Sequence, residues 1–135
     1  YQFEIGKGEL VKEGSDVTII ANGLMVAEAI EAGKELQAAG IDAEIINMAT
    51  IKPLDAQLVV ASARKTGKVI TVEEHNIIGG LGEAVCAALS TECPVPVKRI
   101  GINDEFGHSG PAKDLLKQFG LSAENIVKVT KEFVK

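Results

Sequence analysis

The chain has 135 residues, the size of a single domain, and carries 14 basic and 19 acidic side chains, for a formal net charge of −5. An acidic surface repels phosphate backbones, which argues against nucleic-acid binding. No apolar run approaches the ~18 residues that span a bilayer, and the amino terminus shows neither a signal-peptide pattern nor an initiator Met. We therefore expect one domain over residues 1–135, cut from a longer cytoplasmic protein.

The first two strands are predicted to form a hairpin. A short strand at 8–12 is followed by turn residues at 13–16, where Gly14 can take positive φ, and by an apolar strand at 17–21. The continuous apolar run of the second strand is typical of a central strand buried on both faces. A tight turn between the two strands predicts that they pair antiparallel.

Helices and strands alternate after the hairpin. Apolar and small residues at three-to-four spacing predict an amphipathic helix over 25–39, ended by Gly40. A strand at 44–48 follows, and a strand, a helix and a strand in this order predict a right-handed parallel crossover. The next predicted helix, 56–65, is capped by Asp55.

The carboxy-terminal half continues the alternation. Its predicted elements are a strand at 69–72, a helix at 81–91, a strand at 97–102, a helix at 111–118 and a helix at 126–134 with Ser122 as its cap. The total of five strands and about five helices predicts a three-layer α/β/α domain. Its five-stranded sheet is expected to be mostly parallel, with one antiparallel edge strand.

Polar residues and glycines follow the strand at 69–72. In an open α/β sheet, ligands and partners dock at the loops after the carboxyl ends of the strands. This position makes the cluster a candidate interface or regulatory edge, together with a second loop near residue 108. The candidate residues are Glu73, Glu74, His75, Asn76, Gly79, Gly80, Gly82, His108 and Ser109.

A dinucleotide site is one alternative for the same glycines. Gly80 and Gly82 give the first half of a G-x-G-x-x-G pattern, and Asp104 follows the next strand, the position of a ribose-binding acid. However, Val85 occupies the third glycine position, and residues 73–79 separate the strand from the glycines. The tight strand-to-helix turn of such sites is therefore missing.

Catalysis within this chain is the other alternative. Glu73, Glu74 and His75 contain the groups of an acid/base set, but no partner nucleophile is visible and no Asp, Glu and His set has metal-ligand spacing. Cys86 and Cys93 match no metal or redox spacing, which favours two free thiols. We predict no catalytic, cofactor-binding or metal-binding residue in this chain.

Several stretches, in order and covering nearly the whole chain, resemble the C-terminal domain of transketolase. They are residues 6–20, Lys52-Pro53-Leu54-Asp55, residues 72–75 with 79–82, Phe106-Gly107-His108-Ser109-Gly110, and residues 119–126. The resemblance is closest to the C-terminal part of the short, split transketolases. The same domain forms the C-terminal end of deoxyxylulose-phosphate synthase and of the E1 β subunit of 2-oxo acid dehydrogenases. The Phe-Gly-x-Ser-Gly loop and the Phe-Gly-Leu-Ser-Ala-Glu stretch favour transketolase.

The resemblance implies a function for the whole enzyme. A transketolase moves two-carbon ketol units between sugar phosphates, as in the pentose phosphate pathway. It uses thiamine diphosphate and a divalent metal, Mg or Ca, held by two preceding domains. Its C-terminal domain supports the dimer and has been proposed to bind a regulator. We therefore expect a non-catalytic module whose partners are the thiamine-binding domains, in a homodimer or a hetero-assembly of split subunits. A free-standing flavodoxin-like or Rossmann-like ligand-binding protein is the alternative of a different class.

Overall fold

The computed structural model describes residues 5–76, 80–102 and 122–135, without the side chains of residues 75, 76 and 102. This part of the chain forms five strands and four helices. In chain order they are β1 (Glu9–Lys12), β2 (Val17–Ala21), α1 (Met25–Ala38), β3 (Ala43–Asn47), α2 (Ala56–Thr66), β4 (Val69–Asn76), α3 (Leu81–Glu92), β5 (Val97–Ile102) and α4 (Ala123–Phe133).

The strands form one sheet in the order β1-β3-β2-β4-β5. Strand β1 runs antiparallel to β3, and the other neighbouring pairs are parallel. Helices α1 and α4 cover one face of the sheet, and α2 and α3 cover the other. The predicted α/β fold, with a mostly parallel sheet and an antiparallel edge strand, is confirmed.

The predicted hairpin is wrong. Strand β1 pairs with β3, where Leu10 lies opposite Ile46, and β3 separates β1 from β2. The connection at 13–16 crosses the amino end of β3 and does not make a tight turn. Ser15 N–H and Asp16 N–H both donate to the Asp42 carbonyl, at 3.1 and 2.8 Å. These bonds hold the connection against the residue that precedes β3.

Strand β2 lies at the centre of the core, as its apolar run predicted. All five of its residues are buried. Alternation along the strand sends Ile19 towards α1 and α4, and Ile20 towards α2 and α3. The two hydrophobic clusters therefore meet across β2, which is hydrogen-bonded to β3 on one side and β4 on the other.

Both predicted side-chain caps are present. Asp55 accepts a hydrogen bond from Leu58 N–H at 3.3 Å at the start of α2, and Ser122 accepts one from Asn125 N–H at 3.3 Å at the start of α4. Gly40 takes the predicted left-handed conformation beyond α1, with φ of 85°. The predicted helix at 111–118 lies outside the described residues.

The inner face of α1 is a broad apolar stripe. Met25 and Ala32 are fully buried, and Val26 and Ile30 are partly buried. The apolar stripe of α1 is wider than the surface that contacts the sheet. Which of its residues are most buried depends on the twist of the sheet, and the sequence pattern does not show that twist.

Strand β4 is longer than predicted. It runs to Asn76, so the polar residues Glu73 to Asn76 continue the strand and do not form a loop after it. Pairing with β5 continues through Asn76 opposite Ile102, with a register shift after Val72. Glu73 and Glu74 lie on opposite faces of the sheet, because successive side chains of a strand alternate.

Candidate functional site at the carboxyl edge of the sheet

The order of the strands places a topological switch point between β2 and β4. The chain leaves β2 through α1 to reach β3 on one side, and it reaches β4 on the other side through α2. The crevice outside the carboxyl ends at such a point is the usual ligand or partner site of an open α/β sheet. Here it lies between the β2–α1 turn, residues 22–24, and the polar end of β4.

Glu73 is the best-defined polar group near this crevice. It is only 1% exposed, and its two carboxylate oxygens accept hydrogen bonds from Leu81 N–H and Gly82 N–H, each at 2.8 Å. These N–H groups belong to the first turn of α3, where the helix itself offers no acceptor and the dipole favours an anion. The N-cap position is Gly80, which has no side chain. Glu73 therefore caps α3 from the neighbouring strand.

Gly82 allows α3 to approach the sheet closely. A Cβ at this position would lie 2.6 Å from Arg99 Cδ and 3.0 Å from Thr71 Oγ1. Such distances are shorter than van der Waals contact, so a side chain here would have to displace the Arg99 side chain and the Thr71 hydroxyl, and glycine lets α3 lie close to β4 and β5.

Glu74 points to the opposite face from Glu73. Its Oε1 lies 2.6 Å from the place where a Cβ of Gly23 would stand, and Gly23 has φ of 59°. The Glu74 carboxylate therefore lies beside the β2–α1 turn. Leu24 in this turn is 58% exposed, and the side-chain oxygen of Asn22 is buried with no hydrogen-bond partner among the described residues.

The structure brings together only part of the predicted site. Glu73, Gly80 and Gly82 meet at the start of α3, and Glu74 lies across the sheet from them. His75 and Asn76 belong to β4, but their side chains are outside the described part of the structure. Gly79, His108 and Ser109 also lie outside it, so their interface role stays a prediction.

A buried polar cluster at the opposite end of the sheet was not predicted from the sequence. Glu44, on β3, forms an ion pair with Lys65 of α2 and accepts a hydrogen bond from Gly14 N–H at 3.1 Å. Ser62 hydrogen-bonds Glu44 and lies 2.6 Å, hydroxyl to hydroxyl, from Thr18. The cluster joins β2, β3, α2 and the connection at 13–16. The one sequence feature that could have indicated this cluster is Glu44, an acidic residue near the start of an otherwise apolar strand.

The charges of this cluster stabilise each other. Burial raises the pKa of Glu44, but hydrogen bonds from Lys65, Ser62 and Gly14 N–H outweigh it and hold the pKa below its ordinary value. The bond to Glu44 in turn raises the pKa of Lys65. This mutual stabilisation identifies a structural ion pair, with every side chain of the cluster already engaged.

The described ranges hold neither a metal-ligand cluster nor a helix suited to a bilayer. No group of three or more His, Cys, Asp or Glu side chains there could hold a metal ion. The described residues thus do not fit the divalent metal of a thiamine enzyme, and both oxygens of Glu73 are already bound to backbone N–H groups.

None of the four described helices has the length and hydropathy of a bilayer-spanning helix. Cys86 and Cys93 are half-buried free thiols, as predicted.

Comparisons with known proteins identify relatives of the chain. A family model described as "Transketolase, C-terminal domain" matches residues 6–126. A 6-deoxy-6-sulfo-D-fructose transketolase subunit of Clostridium sp. (strain MSTE9) is 48% identical over 131 residues, covering 97% of this chain and 41% of that protein. The 1-deoxy-D-xylulose-5-phosphate synthase of Heliobacterium modesticaldum is 46% identical over 129 residues, covering 95% of this chain and 20% of that protein.

A solved structure gives the same result for the fold. It is described as a split gene transketolase, an inactive beta4 tetramer, and it is 50% identical to this chain with a TM-score of 0.94. The match covers 99% of this chain and 44% of that one. The chain thus spans less than half the length of these relatives, and it belongs to the transketolase C-terminal domain family.

Proposed function

We propose that the chain is the C-terminal assembly domain of a transketolase-type transferase. The carrying observation is that the family model covers residues 6–126 while the chain covers only 41% of a transketolase subunit. The polar end of β4 supports the same view, because Glu73 uses both carboxylate oxygens to hold α3. A group engaged in this way positions a helix and is not free to act as an acid or base.

The reaction belongs to the whole enzyme in this proposal. The larger protein transfers a two-carbon ketol unit between sugar phosphates. Thiamine diphosphate and a divalent metal, bound by the other domains, supply the chemistry of carbon–carbon bond cleavage. The 135-residue chain binds neither and is inactive by itself. Its contribution is to hold the thiamine-binding domains of one subunit, or of two split subunits, in a productive assembly.

The experiment compares the complete subunit with one that lacks residues 1–135. We expect the truncated subunit, mixed with any split partner, to lose its assembly in sedimentation and its turnover of sugar phosphates. Adding the separate 135-residue chain should restore part of both. Calorimetric titration of that chain with thiamine diphosphate should show no binding, and micromolar affinity would contradict the proposal.

A substitution gives a second, milder test. We predict that His75→Ala in the complete subunit weakens assembly or turnover, because His75 belongs to the predicted interface at the end of β4. In the separate 135-residue chain, the midpoint of thermal unfolding of this variant should stay within about 2 °C of the unsubstituted chain. Unfolding at a much lower temperature with normal assembly would instead make His75 a core residue.

Deoxyxylulose-phosphate synthase is the second candidate for the larger protein. The observation that favours it is the 46% identity to the Heliobacterium enzyme, close to the 48% identity to the transketolase subunit. The two candidates place the same domain in the same role. Assaying the complete protein for the products of both enzymes separates the two candidates.

A further inference from the structure

The segment that leads into β1 is fastened to the connection between β3 and α2. We call residues 5–8 the leading segment. Gly6 N–H donates to Thr50 Oγ1 at 3.0 Å, and Gly8 N–H donates to Asp55 Oδ2 at 2.9 Å. The other oxygen of Asp55 caps α2 through Leu58 N–H. One carboxylate therefore fixes both the start of a helix and the path of the leading segment.

Both glycines of the leading segment lie close against side chains of the β3–α2 region. Gly6 has φ of 81°, and a Cβ there would stand 3.1 Å from Pro53 Cγ. A Cβ at Gly8 would stand 2.8 Å from Leu58 Cδ2 and 2.9 Å from Met48 Cε. The leading segment is thus pressed directly onto the β3–α2 connection. Its direction relative to the sheet is set by contacts on one side and by hydrogen bonds along its backbone.

This fastening lies at the carboxyl edge of the sheet. Because β1 runs antiparallel to β3, the start of β1 lies beside the end of β3. The β2–α1 turn lies beside the end of β3 at the same edge, because β2 is parallel to β3 and pairs with it. Ile5 is 74% exposed and Leu24 is 58% exposed on this edge, and the buried oxygen of Asn22 has no partner among the described residues.

An edge with these properties favours burial against protein. Two large apolar side chains face solvent, and an unpaired buried acceptor is costly unless a donor reaches it. We define the seating edge as Ile5, Asn22, Leu24 and the connection at 50–55. We propose that the preceding part of the same subunit docks on the seating edge, and that Thr50 and Asp55 orient the domain against it.

The proposal rests on the proposed function, because it takes the domain to be the C-terminal part of a larger subunit. The same subunit is the favoured occupant because the leading segment, which joins the domain to any preceding part, is fastened at this edge. A covering domain attached there needs no long linker, so its effective concentration at the edge is high. A second copy of the subunit has no such advantage.

The test uses the complete subunit and substitutions with matched controls. Leu24→Glu places a charge on the seating edge, and Val11→Glu does the same at an exposed apolar residue of β1 outside it. Thr50→Val removes the acceptor for Gly6 N–H, and Thr50→Ser keeps it. We measure the radius of gyration of the subunit by X-ray scattering and the rate of proteolytic cleavage at the domain junction.

We expect Leu24→Glu and Thr50→Val to enlarge the subunit and to speed cleavage by about tenfold, equivalent to about 1.4 kcal/mol of docking free energy. Val11→Glu and Thr50→Ser should match the unsubstituted subunit. Unchanged size and cleavage in Leu24→Glu and Thr50→Val would overturn the proposal. So would a compact Leu24→Glu subunit that fails only to form oligomers, since a second copy would then occupy the edge. Failure of the proposed function gives a different result: assembly and turnover would survive deletion of residues 1–135.

Discussion

Glu73 shows how one side chain can serve a role that its position in the sequence does not reveal. Its carboxylate is buried, carries no described ion pair, and is satisfied by Leu81 N–H and Gly82 N–H. Hydrogen bonds from neutral N–H donors to a charged acceptor are stronger than those between neutral groups. The N-terminal dipole of α3 adds to the stabilisation. The beginning of α3 therefore depends on a residue of β4.

We predict that Glu73→Gln lowers the free energy of unfolding by about 1–3 kcal/mol, because an amide NH2 would face one of two buried backbone donors. The matched control is Glu92→Gln at the exposed end of α3, which should change stability by no more than about 0.5 kcal/mol. Urea denaturation of both variants gives the comparison. Equal stability of the Glu73 and Glu92 variants would show that the cap contributes nothing.

The sequence predicted that Glu73 lies at a functional edge but not that it turns inward. The inward direction follows from β4 continuing beyond Val72, and the apolar run at 69–72 gave no sign of that continuation. Pairing with β5 extends β4 to Asn76. Which strand pairs with β4 depends on the tertiary structure, so local sequence does not reveal it. Local propensity correctly placed Asp55 and Ser122 as caps, since a cap depends on its own few neighbours.

At the scale of elements, the connection between β1 and β2 packs against the backbone of β3. A Cβ added at Gly14 would overlap the carbonyl carbon and oxygen of Ala43 and the backbone nitrogen of Glu44. None of these atoms can move without shifting β3. The sequence predicted a glycine turn here because the local signal for a hairpin was strong. The pairing of β3 with both strands joins residues that are distant in the sequence, and the turn residues alone do not specify it.

We predict that Gly14→Ala destabilises the domain by at least about 3 kcal/mol, since the overlap is with backbone. Gly40→Ala is the matched control. Gly40 has no neighbour within 4 Å of its Cβ position and only the cost of φ at 85°, about 1–2 kcal/mol. Thermal or urea unfolding ranks the two variants, and a larger loss at Gly40 would show that space at Gly14 is not limiting.

The ion pair between β3 and α2 makes a pH-dependent contribution. The pKa of Glu44 is depressed in the folded state, so its stabilisation is present above the unfolded value and is lost as pH falls through the folded value. We predict that Glu44→Gln loses about 1–3 kcal/mol at pH 7 and that this loss shrinks towards pH 3. Urea titrations at both pH values measure it.

A double-mutant cycle tests the assignment to Lys65. In a Lys65→Met background, Glu44→Gln should cost less at pH 7 than it does alone, because the ion pair is already absent. Additive costs in the cycle would place the origin of the pH dependence elsewhere.

At the scale of the whole molecule, the parallel strands β2 and β4 are the centre about which the two cores are built. Ile19 and Ile70 lie opposite each other across these strands, and neither is exposed to solvent. Both pack under α1 and α4. The sequence predicted this burial well, because a continuous apolar run in a domain of this size is typical of a strand covered on both faces.

We predict that Ile19→Ala and Ile70→Ala each cost about 2–5 kcal/mol, whereas the exposed Val11→Ala costs less than about 0.5 kcal/mol. Because the two isoleucines are paired neighbours in the same hydrophobic core, the double variant should depart from additivity by about 0.5 kcal/mol or more. Denaturation midpoints unchanged within error would contradict the placement of β2 and β4 at the centre.

The fastening of the leading segment also sets an order of events during synthesis. Thr50 and Asp55 follow Gly6 and Gly8 by 44 and 47 residues. On the ribosome, the leading segment and β1 emerge well before β3 and the connection that receive them. Contacts between distant parts of a chain form late, and domains generally complete in the order of translation. A preceding domain can therefore fold before the leading segment is fixed by Thr50 and Asp55. The two domains then dock after each has folded.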